Sequence, residues 1–387
     1  MRFPSFEGEW EVKKLGEIAE KIGDGLHGTP SYTDESNYYF INGNNLINGK
    51  IEITENTKKI DAKTFLKNDK NLRKNTLLIS INGTIGNIAK YNNENVMLGK
   101  SVGYFNFEEN SDFLYFVLQT SPVQEHFKSE LTGSTIKNLS LKTLRETNLR
   151  LPSQDEQQKV ASFLSLIDER ITTQSKIIEG LEKLKVATAK KIFSQEFRFK
   201  DNNGNDFSKW EEMKLKNIVI IQMGQSPDSS SYNFENIGIP LIQGNADILN
   251  RKSNPRQYTS KPTKFCDVGD LLLTVRAPVG YVGKSKHYAC IGRGICSVKN
   301  NDKSILEFIY QFLLYFEDKW KSIEQGSTFT AVNSSDINSI NILLPSIPEQ
   351  TKIANFLSAI DSKIDMENQL LQKLEEQKKF LLQNMFV

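Results

Sequence analysis

Residues 151–168 read LPSQDEQQKVASFLSLID, and residues 344–361 read LPSIPEQTKIANFLSAID. The two stretches share the patterns Leu-Pro-Ser, Glu-Gln and Phe-Leu-Ser-x-Ile-Asp at one fixed spacing of 193 residues. A fixed offset leaves no room for insertions between the copies, and self-similarity over such a distance indicates a duplicated fold. We therefore expect the chain to consist of two similar halves.

The similarity continues upstream of these stretches, but the spacing there changes. The pattern Trp-x-x-x-Lys-Leu-x-x-Ile at Trp10 returns at Trp210, an offset of 200, and the apolar run 77–81 returns at 271–275, an offset of 194. Each half therefore has a front of variable length and a back of fixed length. The predicted domains are a front at 1–151, a back at 152–197, a second front at 198–344 and a second back at 345–387. Variable fronts are expected to carry specificity and fixed backs assembly; a duplicated enzyme domain is the alternative.

The backs have the apolar periodicity of long helices. Apolar residues recur at alternating steps of four and three, which is the heptad seam of a coiled coil. Both seams are interrupted at the same point by a polar residue, Gln174 in the first and Glu367 in the second, and a polar seam residue can fix register. The seam residues, expected to pair the helices and to dock partners, are Val160, Leu164, Ile167, Ile171, Gln174, Ile178 and Leu181, followed by Ile353, Leu357, Ile360, Ile364, Glu367, Leu371 and Leu374.

Each predicted helix also has a recognisable start. Ser153 and Ser346 are predicted N-caps, and Glu156 and Glu349 stand three residues further on, where they would complete capping boxes. The first helix leads from one front to the next, so the second helix buries its seam on the first only by running antiparallel. The fronts are then expected at opposite ends of the helix pair. The alternative is that each helix packs only on its own front.

The fronts alternate short apolar or β-branched runs with Gly, Asn and Asp, a pattern typical of strands joined by turns. Shorter helices with aromatic residues at steps of three and four are predicted around 112–119 and 305–314, and these aromatics are interpreted as core. The predicted fold class is α+β. Two mixed α/β domains are separated by two long antiparallel coiled-coil helices, with a pseudo-two-fold internal repeat.

Composition limits the functions that this chain can carry. The formal net charge is +2 and the pI about 8.2, below the value of about 9 expected of a self-sufficient nucleic-acid binder. The chain has no Pro-Pro pair, which an adenine methyltransferase motif would need, and no phosphate-binding G-x-x-x-x-G-K-[ST] loop. Cys266, Cys290 and Cys296 lack the spacing of a zinc site, and the histidines have no partner that recurs between the halves. These residues therefore predict no metal site. Because no apolar run is long enough for a membrane span, we also expect a cytoplasmic protein without membrane contact.

Taken in order, the features are a Trp-x-x-x-Lys-Leu-x-x-Ile start, a variable domain, Leu-Pro-x-x-x-Glu-Gln and a long helix with Phe-Leu-x-x-Ile-Asp, and then all of them again. An Arg-Phe pair precedes each start, with Arg2 before Trp10 and Arg198 before Trp210, and the second copy has four more residues in between. This order resembles the specificity (HsdS) subunits of Type I restriction-modification enzymes over essentially the whole chain.

The resemblance implies a chain without catalytic activity that binds double-stranded DNA through two target-recognition domains, each reading one half of a split, asymmetric target. It implies two methyltransferase (M) subunits docked around the helices, and motor-endonuclease (R) subunits that join for cleavage. S-adenosylmethionine, ATP and magnesium would be bound by those partners and no cofactor by this chain. The helices would set the gap between the half-sites. Two alternatives remain open, namely the recognition subunit of a related combined methyltransferase-nuclease and an assembly scaffold that reads no bases.

Polar residues in the front loops are the predicted DNA contacts. Arg suits guanine, Asn and Gln suit adenine, and Ser, Thr and Lys suit phosphates. The Gly-Ser-Thr loops at 133–135 and 326–328 rank first because they recur at one place in both copies, and Arg293 matches Lys100 in charge. His27 has no counterpart in the second copy and is interpreted mainly as a loop residue. The full set is Lys21, His27, Thr29, Asn44, Ser80, Asn82, Thr84, Lys100, Ser101, Ser134, Thr135, Lys137, Gln225, Ser226, Gln243, Asn245, Arg276, Arg293, Ser327, Thr328 and Asn333.

Overall fold

A computed structural model gives the fold of residues 1–109, 111–133, 137–324 and 331–386. By compactness the chain forms two units. Unit 1 comprises Met1–Ser175 and Gln369–Val387, and unit 2 comprises Lys176–Asn368. Both limits fall inside long helices, so each unit contains one front and a segment of each helix. The four domains predicted from the sequence divide the chain at the ends of the helices instead, and they stay a prediction.

Unit 1 contains short strands that form two sheets and two ribbons. The strands are β1 (Glu11–Lys14), β2 (Lys21–Asp24), β3 (Tyr38–Ile41), β4 (Leu46–Ile47), β5 (Lys50–Ile51), β6 (Lys59–Ile60), β7 (Thr76–Ser80), β8 (Ile88–Lys90), β9 (Val96–Leu98), β10 (Val102–Asn106) and β11 (Asn148–Leu151). The sheets have the orders β2-β10-β7-β8 and β6-β3-β9, and the ribbons are β1-β11 and β4-β5. Every residue of β7 is buried, because its apolar Leu77, Leu78 and Ile79 lie in the interior of the sheet.

Helices cover the sheets of unit 1. They are α1 (Leu15–Ile18), α2 (Ala62–Lys67), α3 (Asp112–Val117), α4 (Ser121–Ser129), α5 (Leu141–Glu146) and the first part of α6 (Gln154–Phe193). The aromatic side chains of α3, including Phe113, Tyr115 and Phe116, are all buried in the main core of the unit. The interpretation of this aromatic run as core is therefore confirmed.

Unit 2 repeats this plan with more strands. They are β12 (Glu211–Lys214), β13 (Val219–Met223), β14 (Tyr232–Asn233), β15 (Ile239–Ile242), β16 (Ile248–Leu249), β17 (Lys252–Ser253), β18 (Gln257–Thr259), β19 (Phe265–Cys266), β20 (Leu271–Thr274), β21 (Val282–Lys284), β22 (Ala289–Ile291), β23 (Ile295–Asn300) and β24 (Asn341–Leu344). The helices are α7 (Leu306–Glu324), α8 (Ser334–Asn338) and α9 (Ile347–Asn384). The sheets have the orders β13-β23-β20-β21-β17-β16 and β14-β18-β15-β22-β19, beside the ribbon β12-β24.

The two units share one strand arrangement. The antiparallel order β2-β10-β7-β8 of unit 1 corresponds to β13-β23-β20-β21 of unit 2, and β1-β11 corresponds to β12-β24. A parallel pair, β3 with β9 in unit 1 and β15 with β22 in unit 2, accompanies the antiparallel ladders, and unit 2 has a further parallel pair, β17 with β21. Both units are therefore copies of one mixed fold, which confirms the duplication and the α+β class predicted from the sequence.

The long helices α6 and α9 contain 40 and 38 residues. In unit 1, Val160 and Leu164 of α6 share a core with Leu381 of α9, and Asp168 of α6 lies 2.7 Å from Lys378 of α9. Residue numbers rise along one segment as they fall along the other, so the two segments run antiparallel. None of the helices in the described ranges is long and apolar enough to cross a membrane.

The same pairing recurs in unit 2. Ile192 of α6 lies in one core with Ile353 and Leu357 of α9, and Lys185 of α6 forms an ion pair with Asp361 of α9. These segments are again antiparallel. Each of the fourteen predicted seam residues is buried or half-buried. The predicted placement of the fronts at opposite ends of the helices stays a prediction.

The helix starts follow the sequence prediction in position but not in chemistry. Helices α6 and α9 begin one residue after Ser153 and Ser346, as predicted for N-caps. The predicted capping boxes are wrong. Glu156 and Glu349 are fully buried, and both oxygens of each carboxylate accept hydrogen bonds from an arginine instead. A guanidinium group gives each carboxylate two charge-assisted hydrogen bonds and a full positive charge, whereas a capping box would give it one bond from a backbone N–H, so each glutamate pairs with the arginine.

These arginine pairs form a repeated clamp at the start of each front. Arg2 donates to Glu156 at 2.7 Å from both Nε and Nη2, and Arg198 donates to Glu349 at 3.1 and 2.6 Å. The indole Nε1 of Trp210 donates to the same Glu349 carboxylate at 3.0 Å. The hydrogen bond to Glu349 raises the pKa of the Arg198 guanidinium, and the hydrogen bond to Glu156 raises the pKa of the Arg2 guanidinium. The Arg-Phe-to-Trp pattern of the sequence thus has a structural role.

Candidate nucleic-acid interface

Unit 2 has a polar cleft of about 490 Å³ at one edge of its sheets. Four loops converge on it, namely those that follow β13 and β15, the β20–β21 turn and the β22–β23 turn. These loops supply five of the predicted DNA contacts, which are far apart in sequence. The five are Ser226, Gln243, Asn245, Arg276 and Arg293.

A buried carboxylate fixes the turn that carries the amides of the cleft. Asp247 is 4% exposed, and its side chain accepts the N–H of Gln243 at 2.8 Å and Nε of Arg256 at 2.9 Å. The side-chain amide of Gln243 donates to Gln257 at 3.1 Å. Asn245 Oδ1 is buried and has no hydrogen-bond partner among the described residues. A buried acceptor without a partner costs about 1 to 3 kcal/mol, which a donor on a ligand would recover.

Two guanidinium groups stand at the rim of the cleft. Arg276 and Arg293 are exposed, and within the described part of the chain neither has an ion-pair partner. Their backbones are nevertheless fixed, because the N–H of Arg293 donates to Ser226 Oγ at 3.0 Å and Arg276 forms a β-bridge with Ala331. The cleft therefore presents two uncompensated positive charges and amide groups on fixed turns, a combination suited to base edges and phosphates.

The corresponding edge of unit 1 brings together four predicted contacts. Ser101 Oγ accepts the N–H of Gly43 and donates to Asn42 Oδ1, both at 2.9 Å, which places Ser101 beside the turn that carries Asn44. The amide of Asn82 donates to the carbonyl of Lys100 at 3.5 Å. Asn44 and Lys100 are exposed. This edge is therefore polar too, with one ammonium group in place of two guanidinium groups.

His27 also belongs to this edge. The N–H of Leu26 donates to the Leu98 carbonyl, just as the N–H of Gln225 donates to Ile291, so His27 occupies the position of Ser226. Sequence alone does not reveal this counterpart, because the two loops share no motif. The His27 ring lies 2.5 Å from the Asp24 carboxylate and is exposed.

Three further predicted contacts of unit 1 lie on exposed chain outside this group. Lys21 stands at the start of β2, paired with Asn106, whereas the polar edge lies at the opposite end of that strand. Thr29 is exposed in the loop after His27. Lys137 is exposed next to Asn138, which forms β-bridges with Asn82 and Thr132.

The prediction is wrong at Ser80, which is fully buried. Its hydroxyl donates to the carbonyl of Thr84 and accepts the N–H of Asn87 at 2.9 Å. Thr274 makes the equivalent bonds to Pro278 and Tyr281 in unit 2, so both hydroxyls hold the turn after a central strand. Thr84 itself remains exposed at the tip of the turn.

Asn333 and Gln225 have backbone roles that the sequence did not reveal. Asn333 is the N-cap of α8, and its Oδ1 accepts the N–H groups of Ser335 and Asp336 at 2.8 and 3.1 Å. The Gln225 carbonyl accepts the Thr263 hydroxyl, while its side chain remains exposed. The four highest-ranked contacts lie outside the described residues, and they are Ser134, Thr135, Ser327 and Thr328.

Sequence reasoning missed the role of the Asp in each Phe-Leu-x-x-Ile-Asp motif. Asp168 accepts Lys378 from α9, and burial together with the charge of Asp168 raises the pKa of the Tyr115 phenol on α3. Asp361 likewise pairs with Lys185 and accepts the amide of Gln311, on α7, at 2.7 Å. In each unit the aspartate therefore links both long helices to a helix of the front. The recurrence of the Ile-Asp pair at one spacing was the signal available in the sequence.

Comparison with known proteins identifies the family. The family model described as the type I restriction modification DNA specificity domain matches residues 7–183 and 207–376. The chain is 32% identical over 402 aligned residues to the putative type I restriction enzyme MjaX specificity subunit of Methanocaldococcus jannaschii, covering 97% of this chain and 92% of the relative. It is 26% identical to the MjaIX specificity subunit of the same organism, covering 92% and 88%. The chain belongs to the type I restriction-modification specificity subunit family.

Solved structures show the same fold. A type I restriction-modification S subunit from Mycoplasma genitalium has 19% identity and a TM-score of 0.62, covering 100% of this chain and 99% of that one. A chain from a study of complex assembly and conformational transition in the type I R-M system has 22% identity and a TM-score of 0.61, covering 97% of each chain. The duplicated fold is thus that of specificity subunits.

Proposed function

We propose that the polar edge of each unit reads one half of a bipartite, asymmetric DNA target and that the chain directs methyltransferase and endonuclease subunits to it. The observation that carries the proposal is the convergence of Gln243, Asn245, Arg276 and Arg293 on one cleft, at the place where unit 1 has its own polar group. The same loops carry different side chains in the two units. Different side chains on one scaffold favour two different half-sites, and hence an asymmetric target.

The chemistry of the cleft suits direct readout of bases. A guanidinium group binds O6 and N7 of guanine in a bidentate manner, and amide side chains bind adenine in the same way. The unpartnered Oδ1 of Asn245 is an acceptor for an exocyclic amino group of a base. Fixed turns reduce the entropy lost on binding, because the side chains start close to their bound positions.

The proposal assigns the remaining work to partners. Two methyltransferase subunits would dock around the long helices, and motor-endonuclease subunits would join for cleavage. Those subunits would hold S-adenosylmethionine, ATP and magnesium, with this chain non-catalytic in a cytoplasmic complex. Docked partners would cover large apolar side chains that the helices leave exposed, such as Leu166, Leu184 and Met366. Partner surfaces would also neutralise phosphates, which fits a net charge of only +2.

An exchange of one front tests this function. Residues 12–145 are replaced by the equivalent segment of a relative with a different target, and the methylated sequence is read across the genome with partner subunits present. We expect one half of the target to change and the other half and the gap to stay. A methylated sequence identical to that of the parent would instead support an assembly scaffold that reads no bases.

A further inference from the structure

The turn between β14 and β15 of unit 2 exposes two large apolar side chains. Phe234 is 71% exposed and Ile237 is 60% exposed. Single apolar side chains at a surface are ordinary, but Phe is a residue that proteins usually bury, and here two such groups share one turn of a few residues. The chain therefore keeps a compact apolar tip in water.

Hydrogen bonds within the turn hold the tip, and its two apolar side chains do not pack into the core. The side chain of Asn233 accepts the N–H of Ile237 and donates to its carbonyl, both at 2.9 Å. Glu235 bends back to accept the N–H of Phe234 at 3.0 Å. Gly238 has a φ of +90°, and a Cβ there would lie 2.1 Å from the carbonyl oxygen of Thr259, so glycine is required for the turn to close against β18.

The tip stands next to the polar cleft. Tyr232 lines the cleft, its hydroxyl donates to the Pro227 carbonyl at 3.1 Å, and Phe234 follows two residues later. Two residues of extended chain span about 7 Å, which is about two base-pair steps. Phe234 therefore lies within about two base-pair steps of a residue that lines the cleft.

The corresponding turn of unit 1 has the opposite chemistry. In unit 1, Lys59 of β6 pairs with both Thr33 and Tyr39, just as Tyr258 of β18 pairs with both Asn233 and Pro240 in unit 2, so Thr33 occupies the position of Asn233. The residues that follow Thr33 are Asp34, Glu35 and Ser36. Asp34 and Glu35 are exposed. Two carboxylates at this place repel phosphates, whereas the turn of unit 2 has one carboxylate, Glu235, beside its two apolar side chains.

We propose, on the basis of the function proposed above, that Phe234 is a wedge that inserts between two stacked base pairs beside the second half-site. Ile237 would support the ring on its other side. Apolar wedges of this kind unstack one base step and kink the duplex, which allows more contact with the protein. Phe234 would thereby favour deformable steps next to the bases that the cleft reads.

The test uses the complete complex with its methyltransferase subunits and duplexes that carry a single 2-aminopurine, moved stepwise through and beyond the second half-site. The fluorescence of this base rises when it is unstacked. We expect the fluorescence to rise at one base step with the parent complex. Phe234→Ala should abolish this rise and weaken binding by about fivefold or more. Phe234→Trp should retain the rise. Leu249→Ala is the matched control, since Leu249 is an exposed apolar residue of the same unit outside the cleft, and should change neither quantity.

An unchanged fluorescence profile with Phe234→Ala would overturn the wedge. So would loss of the methyltransferase subunit from purified Phe234→Ala complexes, because Phe234 would then be a protein-docking residue. Arg276→Ala separates the two proposals. If Arg276→Ala weakens specific binding while Phe234→Ala does not, only the wedge fails. If Arg276→Ala has no effect on binding or on the methylated sequence, the proposed reading cleft fails as well.

Discussion

Unit 2 presents the guanidinium groups of Arg276 and Arg293 where unit 1 presents the amide of Asn82 and the ammonium of Lys100. The backbone beneath these side chains is the same in both units. Val332 donates to the carbonyl of Val275 as Leu139 donates to Ile81. One scaffold of paired strands therefore carries two sets of polar groups, and the difference between these sets lies in the loops.

The bracing of the two edges also differs. In unit 2 a buried carboxylate, Asp247, holds the turn of Gln243, whereas in unit 1 the neutral amide of Asn45 accepts the N–H of Asn42 at 2.9 Å. Gly294 lets the β22–β23 turn approach the turn of Gln243 so closely that a Cβ would lie 2.2 Å from its carbonyl oxygen. At the matching place unit 1 has Ser101, whose hydroxyl bridges the two turns by hydrogen bonds.

The two arginine clamps differ in the bond from Trp210 to Glu349, and the contribution of this bond to stability can be measured. Glu349→Ala removes the partner of both Arg198 and Trp210 inside unit 2 and should lower the free energy of unfolding by about 3 kcal/mol, because it leaves a charge and an indole N–H unpaired. Glu156→Ala, which affects Arg2 alone, should cost less. Urea unfolding of both variants measures the difference. Equal losses would mean that the bond from Trp210 contributes nothing.

Removing either guanidinium group should impair DNA recognition by unit 2 and leave recognition by unit 1 unchanged. Arg276→Ala or Arg293→Ala should weaken specific binding by about 1 to 3 kcal/mol, or roughly 5- to 150-fold, if each arginine contacts a guanine. The loss of preference should appear in one half of the methylated sequence only. Asn82→Ala, the matched change in unit 1, should alter the other half. Competition binding and methylome sequencing of the three variants measure both effects, and relaxation of both halves by a single variant contradicts the assignment of one half to each unit.

The smallest effect is expected at Asn333, whose amide caps α8. Asn333→Ala should lower stability by about 1 kcal/mol through loss of the cap, without changing the methylated sequence. Asn333→Asp should restore stability, because a carboxylate also accepts the N–H groups of Ser335 and Asp336. Thermal unfolding and the methylome are the measurements. A changed target with unchanged stability would instead indicate that Asn333 contacts DNA.

Several features were predictable because they depend on residues close together in sequence. The heptad steps from Val160 to Leu181 predict an amphipathic helix directly, and the structure buries that stripe. The aromatics of α3 and α7 follow from the same rule. Among the predicted DNA contacts, Arg276, Arg293, Gln243 and Asn245 were identified from side-chain chemistry and loop position, and the fold places them together.

Other features could not be predicted because they depend on pairing between distant strands. Ser80 looks like any loop hydroxyl in sequence, and only the return of the chain at Asn87 turns it inward. The equivalence of His27 and Ser226 is visible only in the hydrogen bonds to β9 and β22, which align the two loops. Glu156 has the spacing of a capping box, but Arg2, brought back from 154 residues away, takes its carboxylate.

The duplication, the two long helices with their seams and the membership of the specificity subunit family follow from the sequence alone, because periodicity and motif spacing are properties of the chain. The meeting of the loops at the polar edges, the pairing of carboxylates with arginines and the position of the apolar tip at Phe234 depended on the tertiary structure instead. Those outcomes depend on strand register across many residues, and the free energy that fixes register comes from packing and hydrogen bonds between distant segments.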